Sequence, residues 1–599
     1  MRPRTTHHPE HPTWLVQPPA PSQLEPLVVE PLIVDRPHLQ APCQALLEAG
    51  AHPLLARLWA SRGLTQADTH AWAHLIAPAR MTHVQQAARL LADALAGQRK
   101  LLIIADYDCD GATACALAIR VLRELGADVD YLVPNRFETG YGLSPAVAEL
   151  ACQHPAGRPD WLITVDNGIG SIEGVAAAEA AGMQVIVTDH HLPGATLPQA
   201  RAIVNPNQPG CGFPSKHLAG VGVVFYLMLA LRAELRQRGK LPARQGPRLE
   251  ALADLLALGT VADVVRLDAN NRLLVARGLD NIRQGRMQAG IAALFAVAGR
   301  DPDHASTADL GFALGPRINA AGRMADMSLG IQCLLEDDPV RATKLAQALD
   351  AINVERRSRE ATMQAQAQAS IQAAPVAGAA SLCIWQDDWH PGVIGLVASR
   401  LKETWWRPTL AFAPDQDDTL RGSGRSVPEV HLRDALDLVS RRMPGAILKF
   451  GGHAMAAGLT LRRPAFEDFA RHFDQAVRML SGCDSFEPRL DTDGSLEFEF
   501  CTPEMADVLN RHIWGAGFPA PLFRDRFRVL HQRLLKGRHL KLFLERGPLR
   551  IDAIWFNHDQ MLPDEIEAVY RLDNNRWGGR TQLQLLIEHA GATTARSPR

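Results

Sequence analysis

The chain has 599 residues, is 47% hydrophobic and 21% charged, and carries a formal net charge of −2 at pH 7. At roughly 150 residues per domain, that length predicts three or four domains of ordinary globular composition. A near-neutral balance excludes nucleic-acid or membrane binding through global charge, so any polyanion site must be a local patch.

The nine cysteines contain no CxxC pair, which argues against zinc ribbons and thioredoxin-type chemistry and for reduced thiols in the cytoplasm. The Pro- and His-rich start has no apolar core of a signal peptide, and residues 1–40 read as a flexible segment. No apolar run is long enough to span a bilayer. From 100 to 190 strand and helix patterns alternate. "LLIIA" (101–105) reads as a buried strand, 112–125 as a helix stopped by Gly126, and "DVDYLV" (128–133) as a strand. Ser144 and Pro145 then give a helix start, as an N-cap followed by proline at the first helical position. "WLITV" (161–165) is a strand, "IEGVAAAEAA" a helix and "MQVIVT" (183–188) a strand. Such alternation with short links predicts βαβ units and a parallel sheet. Residues 215–300 are helical by periodicity, 338–375 form one long connecting helix, and a glycine-rich α/β segment follows from about 380. From about 488, "SLEFEF" and "KLFLE" read as short alternating strands of a small β-barrel.

Asp106, Asp108 and Asp110 stand at alternate positions where the first strand meets its helix. The strand at 161–165 ends in Asp166, and that at 183–188 ends in Asp189, His190 and His191. Open parallel sheets bind ligands at the carboxyl ends of their strands. A lone DxD after a strand is often only a helix cap, and a lone HH pair is usually nothing. Three such tips in one βαβ series instead predict a centre where like charges would repel unless divalent cations sat between them. Oxygen ligands with one or two imidazoles suit Mg²⁺ or Mn²⁺. Carboxylates able to bridge two ions point to two-metal hydrolysis of a phosphate ester, in which one ion activates water and the pair holds the attacking and leaving oxygens. No GxSxG elbow or phosphate-binding GxxxxGK[ST] loop offers another chemistry.

"DYDCDG", "TVDNG", Asp189-His190-His191 and "LALGTVADVV" (256–265, with Asp263) resemble the motifs of the DHH phosphoesterase superfamily. "VPNRFETGYGL" (133–143), "HLAGVGVVFYL" (217–227), "GPRINAAGRM" (315–324), "WHPGVIGLVASRLKE" (389–403), "RGSGRS" (421–426) and "LKFGGHAMAAGL" (448–459) further resemble the RecJ family of bacterial single-strand exonucleases. The resemblance runs from about residue 50 to near the C-terminus. It implies an α/β fold: a parallel-sheet DHH catalytic domain with an N-terminal helical part (41–337), the connecting helix (338–375), a smaller α/β DHH-associated substrate domain (376–484) and an OB-like single-strand-binding barrel (485–599). By the same resemblance Asp106, Asp108, Asp110, Asp166, His190 and Asp263 hold two Mn²⁺ or Mg²⁺ ions. Asp108, Asp110, Asp166, His190, His191 and Asp263 carry catalysis, with His191 beside the substrate phosphate and Asp189 orienting its neighbours. Ser423 and Arg425, in an expected glycine loop, join Arg136 as a clamp for a 5′-terminal phosphate, and Arg317 and His453 line the substrate path. From the residues alone, the glycine loop could equally be a tight turn, "GGHA" a packing turn, and Arg317 an ion-paired arginine. Glu429 and Arg266 stand where the family usually has glycine and proline, which bears on loop shape and not on the chemistry.

Residues 524–550 hold nine Lys/Arg and two Asp/Glu. With Phe527, Phe543, Trp555 and Phe556 they predict a groove that tracks a backbone and stacks bases, with Arg533, Lys536, Arg538 and Lys541 as the basic patch. A solvated charged face is the plainer alternative. The expected function is metal-dependent 5′→3′ exonucleolysis of single-stranded DNA in repair and recombination. The implied protein is a cytoplasmic monomer without membrane contact, with a single-strand-binding protein and a RecQ-type helicase as partners. The alternatives are an oligonucleotide or cyclic-dinucleotide phosphodiesterase of the same superfamily, a manganese pyrophosphatase, and an inactive DNA-binding replication scaffold.

Overall fold

The computed structural model describes residues 30–592, apart from 68–69, 136–138, 243–244, 374–377 and 578–579. Two compact units divide the chain. One is built mainly of residues 360–490, the other of 33–359 with 491 onward.

In the larger unit, strand β1 (Leu32–Asp35) and helices Gln40–Glu48, Pro53–Ala60 and Val84–Ala96 precede a sheet of β2 (Leu101–Ala105), β3 (Val129–Leu132), β4 (Trp161–Val165), β5 (Gln184–Thr188) and β6 (Ala202–Val204). The order is β3-β2-β4-β5-β6 and every pairing is parallel. β2 and β4 are buried at every position, because helices cover both faces of a parallel sheet. β6, three residues long, is too short to show in a hydrophobic pattern. The first crossover helix runs Cys109–Glu124, starting earlier than its apolar periodicity suggests, because Asp108 caps it by accepting from the Gly111 amide at 3.0 Å. Ser144 caps Pro145–Cys152 as expected, accepting from the Val147 amide at 3.3 Å. Helices Gly220–Gln237, Ala253–Ala262, Ala269–Arg283 and Ala289–Val297 fill the helical stretch, and Pro339–Ala373 is the long helix.

In the other unit, β7 (Leu382–Trp385), β8 (Thr409–Pro414), β9 (Thr419–Arg425), β10 (Ile447–Gly452) and β11 (Ala456–Arg462) form a sheet in the order β10-β11-β9-β8-β7. The expected glycine loop at "RGSGR" is therefore a strand: β9 pairs residue by residue with β8 and β11. Its backbone is committed to the ladder and cannot wrap an anion. The glycines have a packing reason. A Cβ at Gly422 would lie 2.5 Å from Phe412 and 2.6 Å from Leu459, and one at Gly424 would lie 2.6 Å from Leu410 and 2.8 Å from Leu432. Ser423 and Arg425 alternate to the opposite face.

β12 (Arg489–Thr492) leads into the C-terminal part. "SLEFEF" is not a strand: it holds a 3₁₀ turn at Phe498–Phe500, followed by helix Pro503–Arg511. The Leu496 amide donates to the Asp525 carboxylate at 3.2 Å and not to a neighbouring strand, and Leu496 is buried while Phe498 is exposed under the Arg546 guanidinium. The period-2 pattern therefore has no common buried face. The barrel itself is β13 (Phe523–Leu535), β14 (His539–Arg546), β15 (Leu549–Trp555), β16 (Glu565–Trp577) and β17 (Arg580–Ala592), closed in the order β13-β14-β15-β17-β16. It shares one apolar core with the parallel-sheet part: the cluster containing Leu91, Ile103 and Leu256 continues into Trp514, Phe518, Phe523 and Tyr570. A buried Arg62–Asp493 pair, 2.8 Å, reinforces that junction. Among the described residues no helix is long and apolar enough to cross a membrane.

Gly422→Ala is expected to destabilise the smaller unit by about 1–3 kcal/mol, since Phe412 and Leu459 are buried and cannot yield cheaply. Denaturant unfolding checks this; an unchanged midpoint would contradict the strand packing.

Candidate metal centre

β2, β4 and β5 are adjacent and in register, with Ala105 opposite Val165 and Val165 opposite Thr188. The next residue of each chain segment is Asp106, Asp166 or Asp189, so the sheet's carboxyl edge carries three carboxylates side by side. The strand order reverses between β2 and β4, and crevices at such a reversal are where open α/β sheets bind ligands. Two further elements add to the edge. The crossover helix brings Asp108 as its cap and Asp110 in its first turn, and helix Ala253–Ala262 ends at Asp263.

Three overlapping groups result: Asp106, Asp108 and Asp166; Asp110, His190 and Asp263; Asp166, His190 and His191, with one ligand atom per residue within 4.8 Å of the others in each group. His190 Nε2 lies 3.1 Å from Asp166 Oδ1 and 3.5 Å from Asp263 Oδ2. Among the described residues, Asp166 Oδ1 and His190 Nε2 are buried and make no hydrogen bond. Buried polar atoms are ordinarily partnered, and a cation between oxygen and imidazole donors satisfies both. The residues present therefore fit a divalent ion.

The electrostatics agree. Burial, then the charge of Asp108, pushes the Asp110 carboxyl up to about 7. Burial followed by neighbouring aspartates raises Asp106, Asp166 and Asp263 well above the ordinary carboxylate range. Burial and the charge of His191 push His190 down to about 4, which keeps its imidazole neutral and its lone pair available. His191 differs. Burial opposes its charge, but the Asp189 carboxylate, 2.8 Å from Nδ1, holds it up at about 9. Asp189 is not in any of the three groups. Its oxygens accept from the amides of Ile169 (2.8 Å), His190 (2.7 Å) and His191 (3.1 Å), and although burial works against ionisation, these bonds and His191 keep it below its usual range.

Several supports were not legible as site residues, some because they act through backbone amides and others because their side chains hold only neighbouring carbonyls. Asp110 accepts from the Gly220 amide at 2.5 Å and the Val221 amide at 2.8 Å, at the N-terminus of helix Gly220–Gln237, where an anion is favoured. A Cβ at Gly220 would fall 2.5 Å from Asp166, so glycine is required there. Asp166 itself has φ +63°, a left-handed conformation that aspartate tolerates, and the Asn167 amide fixes this turn by donating to the carbonyls of Ile104 and Val165. Asn205 and Asn207 donate to the carbonyls of His191 and His190. The Tyr141 hydroxyl donates to the Asp166 carbonyl at 3.3 Å, and its ring meets those of Tyr107 and His191 edge-on.

The remaining expected residues divide. In the smaller unit, Arg425 Nη1 lies 3.3 Å from Ser423 Oγ. Both crowd Gly395, where a Cβ would be 2.9 Å from Ser423 Oγ and 3.1 Å from Arg425 Nη2, at the start of helix Ile394–Trp405. Burial lowers the Arg425 guanidinium, with no carboxylate among the described residues to offset it. His453 sits in the β10–β11 turn, its amide donating to Ala456, which pairs with Arg425. Arg317, in the larger unit, is engaged by Asp350 at 2.9 Å. Arg136 lies outside the described residues.

The basic patch is narrower than its composition. Arg524 and Arg526 pair with Glu567, Arg528 and Arg550 with Glu545, Arg546 with Asp525, and Lys541 with Asp552. Asp552 and Glu567 lie outside 524–550, so a sequence window misses them. Arg533, Lys536 and Arg538 have no such acidic partner among the described residues, and they cluster at the β13–β14 hairpin tip, where Leu535 pairs with His539. Phe527 is buried in the barrel core and cannot stack a base; Phe543 and Phe556 are exposed.

Three family models match successive parts of the chain. The models for the DHH family N-terminal domain, the DHHA1 domain and the RecJ OB domain match residues 100–260, 373–479 and 492–589. A relative from Dickeya dadantii, "Single-stranded-DNA-specific exonuclease RecJ", is 48% identical over 90% of this chain and 95% of its own length. The crystal structure of RecJ in complex with Mn²⁺ from Thermus thermophilus matches with TM-score 0.78 at 27% identity, covering 95% of this chain and 79% of that one. The Mg²⁺ complex from the same organism matches at 0.73 and 26%, covering 94% and 78%.

Without metal, the four raised carboxyls keep protons in the folded state that the unfolded chain has released, so stability falls as pH rises from about 4 to about 7. His191 adds loss above its ordinary value, while His190, His558 and, at the acid end, Asp189 oppose the trend. Thermal unfolding in EDTA should show a midpoint falling through that window, and Mn²⁺ should raise it more at pH 7.5 than at pH 5. A flat EDTA profile would contradict the repulsion.

Proposed function

The chain belongs to the RecJ family of single-stranded-DNA-specific exonucleases, and on that footing we propose that it hydrolyses phosphodiester bonds of single-stranded DNA from the 5′ end with two Mn²⁺ or Mg²⁺ ions. The observation that carries the reading is the cluster of carboxylates with buried, unpartnered Asp166 Oδ1 and His190 Nε2 at the carboxyl edge of the sheet. Asp106, Asp108 and Asp166 would hold one ion and Asp110, His190 and Asp263 the other, with the Asp166 carboxylate close enough to His190 to reach both. When bound, the ions supply Lewis acidity toward water and toward the scissile phosphate oxygens.

The chain's own residues then have distinct tasks. Gly220 and Val221 fix Asp110 by bonding both oxygens, leaving each a further lone pair. Neutral His190 offers Nε2 as a donor atom, oriented by the ring's hydrogen bond to the Leu218 backbone. Charged His191, with Nδ1 held by Asp189, keeps Nε2–H for a phosphate oxygen and neutralises charge that develops there. Asp189 positions both histidines. In the other unit Ser423 and Arg425, at a helix start and without a carboxylate partner, take a terminal phosphate, with His453 beside them. Arg317 lines the strand's path once its Asp350 contact yields, and Arg136 is the sequence's further candidate for a phosphate contact. The hairpin tip with Arg533, Lys536 and Arg538 holds the strand's backbone. A monomer acting in the cytoplasm in DNA repair and recombination, with a single-strand-binding protein and a RecQ-type helicase, completes this reading.

Digestion of 5′- and 3′-labelled single strands and duplexes with Mn²⁺ or Mg²⁺ tests it. Release of the 5′ label first, from single strands only, is expected; release of the 3′ label first would reverse the polarity. Asp166→Ala should lower turnover at least about a thousandfold, ~4 kcal/mol, with strand affinity nearly unchanged, and normal turnover would remove the aspartate from the metal centre. Replacing Arg533, Lys536 and Arg538 with glutamine should weaken binding equally for all sequences and reduce the salt slope by roughly 2; an unaltered slope in fluorescence anisotropy would reject the hairpin contact.

A further inference from the structure

Phe312 is 86% exposed, the highest value of any large apolar side chain among the described residues. Two others nearly as exposed adjoin the metal centre in sequence: Val264 (71%) follows Asp263, and Leu192 (66%) follows His191. The turn that carries Phe312 packs against the end of the helix that delivers Asp263. That turn is π-helical, Leu310–Leu314, held from below by buried Leu310, Ala313 and Leu314. The glycines on either side of Phe312 press that turn onto the last residues before Asp263. A Cβ at Gly311 would stand 3.3 Å from Val261, and one at Gly315 would stand 3.0 Å from Ala262. Val264 is moreover held at φ +62°, a conformation that a β-branched residue adopts only under constraint. Single π turns occur frequently at functional sites.

Exposed apolar side chains thus follow two residues of the acidic, polar centre directly, and a third stands on a turn packed against the helix that ends at Asp263. Phosphate and metal chemistry give such side chains nothing to bind. A nucleobase does: its face is apolar and polarisable, and every base has one, so stacking is tolerant of sequence. We propose that Phe312 is a base-stacking residue of the strand channel, flanked by Val264 and Leu192, and that it makes the enzyme require unpaired bases. Base faces inside a duplex are already stacked on their neighbours and cannot reach Phe312. This rests on the reading above that the chain hydrolyses single strands. It assigns the discrimination against duplexes in part to a contact with bases, beyond the contacts with phosphate.

The test compares the full-length wild type, Phe312→Ala, Phe312→Leu and Phe312→Trp on two single strands, one natural and one whose first four nucleotides at each end are abasic. Steady-state digestion with Mn²⁺ and anisotropy binding without divalent ions are both read. Phe312→Ala should raise KM and the dissociation constant for the natural strand roughly tenfold, with kcat little altered. It should leave the abasic strand unaffected. Phe312→Trp should retain wild-type values and Phe312→Leu fall between. Equal losses on both strands would show a structural role and overturn the proposal, as would no loss on either. A wild type that digests neither strand would overturn the functional reading and this inference together; a wild type that digests the natural strand, with an unaffected Phe312→Ala, overturns this inference alone.

Discussion

Mutual repulsion among buried carboxylates is the constraint around which the larger unit is arranged. Asp106, Asp110, Asp166 and Asp263 all stand raised well out of the carboxylate range, with burial as the first cause and the charge of Asp108 or Asp110 as the next. A fold that only needed stability would replace such a set with apolar residues. Here the backbone spends helix starts, a left-handed aspartate and obligatory glycines on keeping the charges together. At neutral pH the arrangement is favourable only with cations present, so affinity for metal and apoprotein instability are two aspects of the same geometry.

The two adjacent histidines show how finely neighbours set chemistry. His190 and His191 are consecutive, with ring centroids 4.4 Å apart, yet one is held neutral near 4 and the other charged near 9. The difference comes from Asp189, which bonds His191 Nδ1 directly, and from the charge that His191 then presents to His190. One carboxylate thereby yields a lone-pair donor and a cationic donor side by side. Around this polar centre, Leu192, Val264 and Phe312 supply surface of the opposite kind, suited to bases and not to phosphates.

The barrel is built into the parallel-sheet part through a continuous core and the buried Arg62–Asp493 pair. The hairpin tip therefore belongs to the same compact unit as the acidic centre. The hairpin's cations are available because its neighbours' are not: the other six basic residues of the 524–550 stretch are neutralised by acids on β13 to β16.

Period and capping alone determined the alternating elements of the sheet. β2 and β4 are apolar at every position because both faces are covered, and Ser144–Pro145 marks a helix start by local chemistry. The strand-tip aspartates and histidines were legible for the same reason, since a parallel sheet delivers its strand ends to one edge whatever the loops do. Tertiary structure decided the rest. "GSGR" became a strand and not a loop because Phe412, Leu459, Leu410 and Leu432 fill the space where side chains would be, and "SLEFEF" became a turn because its alternating residues meet no common core. The basic stretch shrank to a hairpin tip because residues distant in sequence neutralise most of it, and Gly220 became essential because Asp166 lies against it. Each of these depends on what another part of the chain places within a few ångströms, and such contacts have no local signature in a sequence.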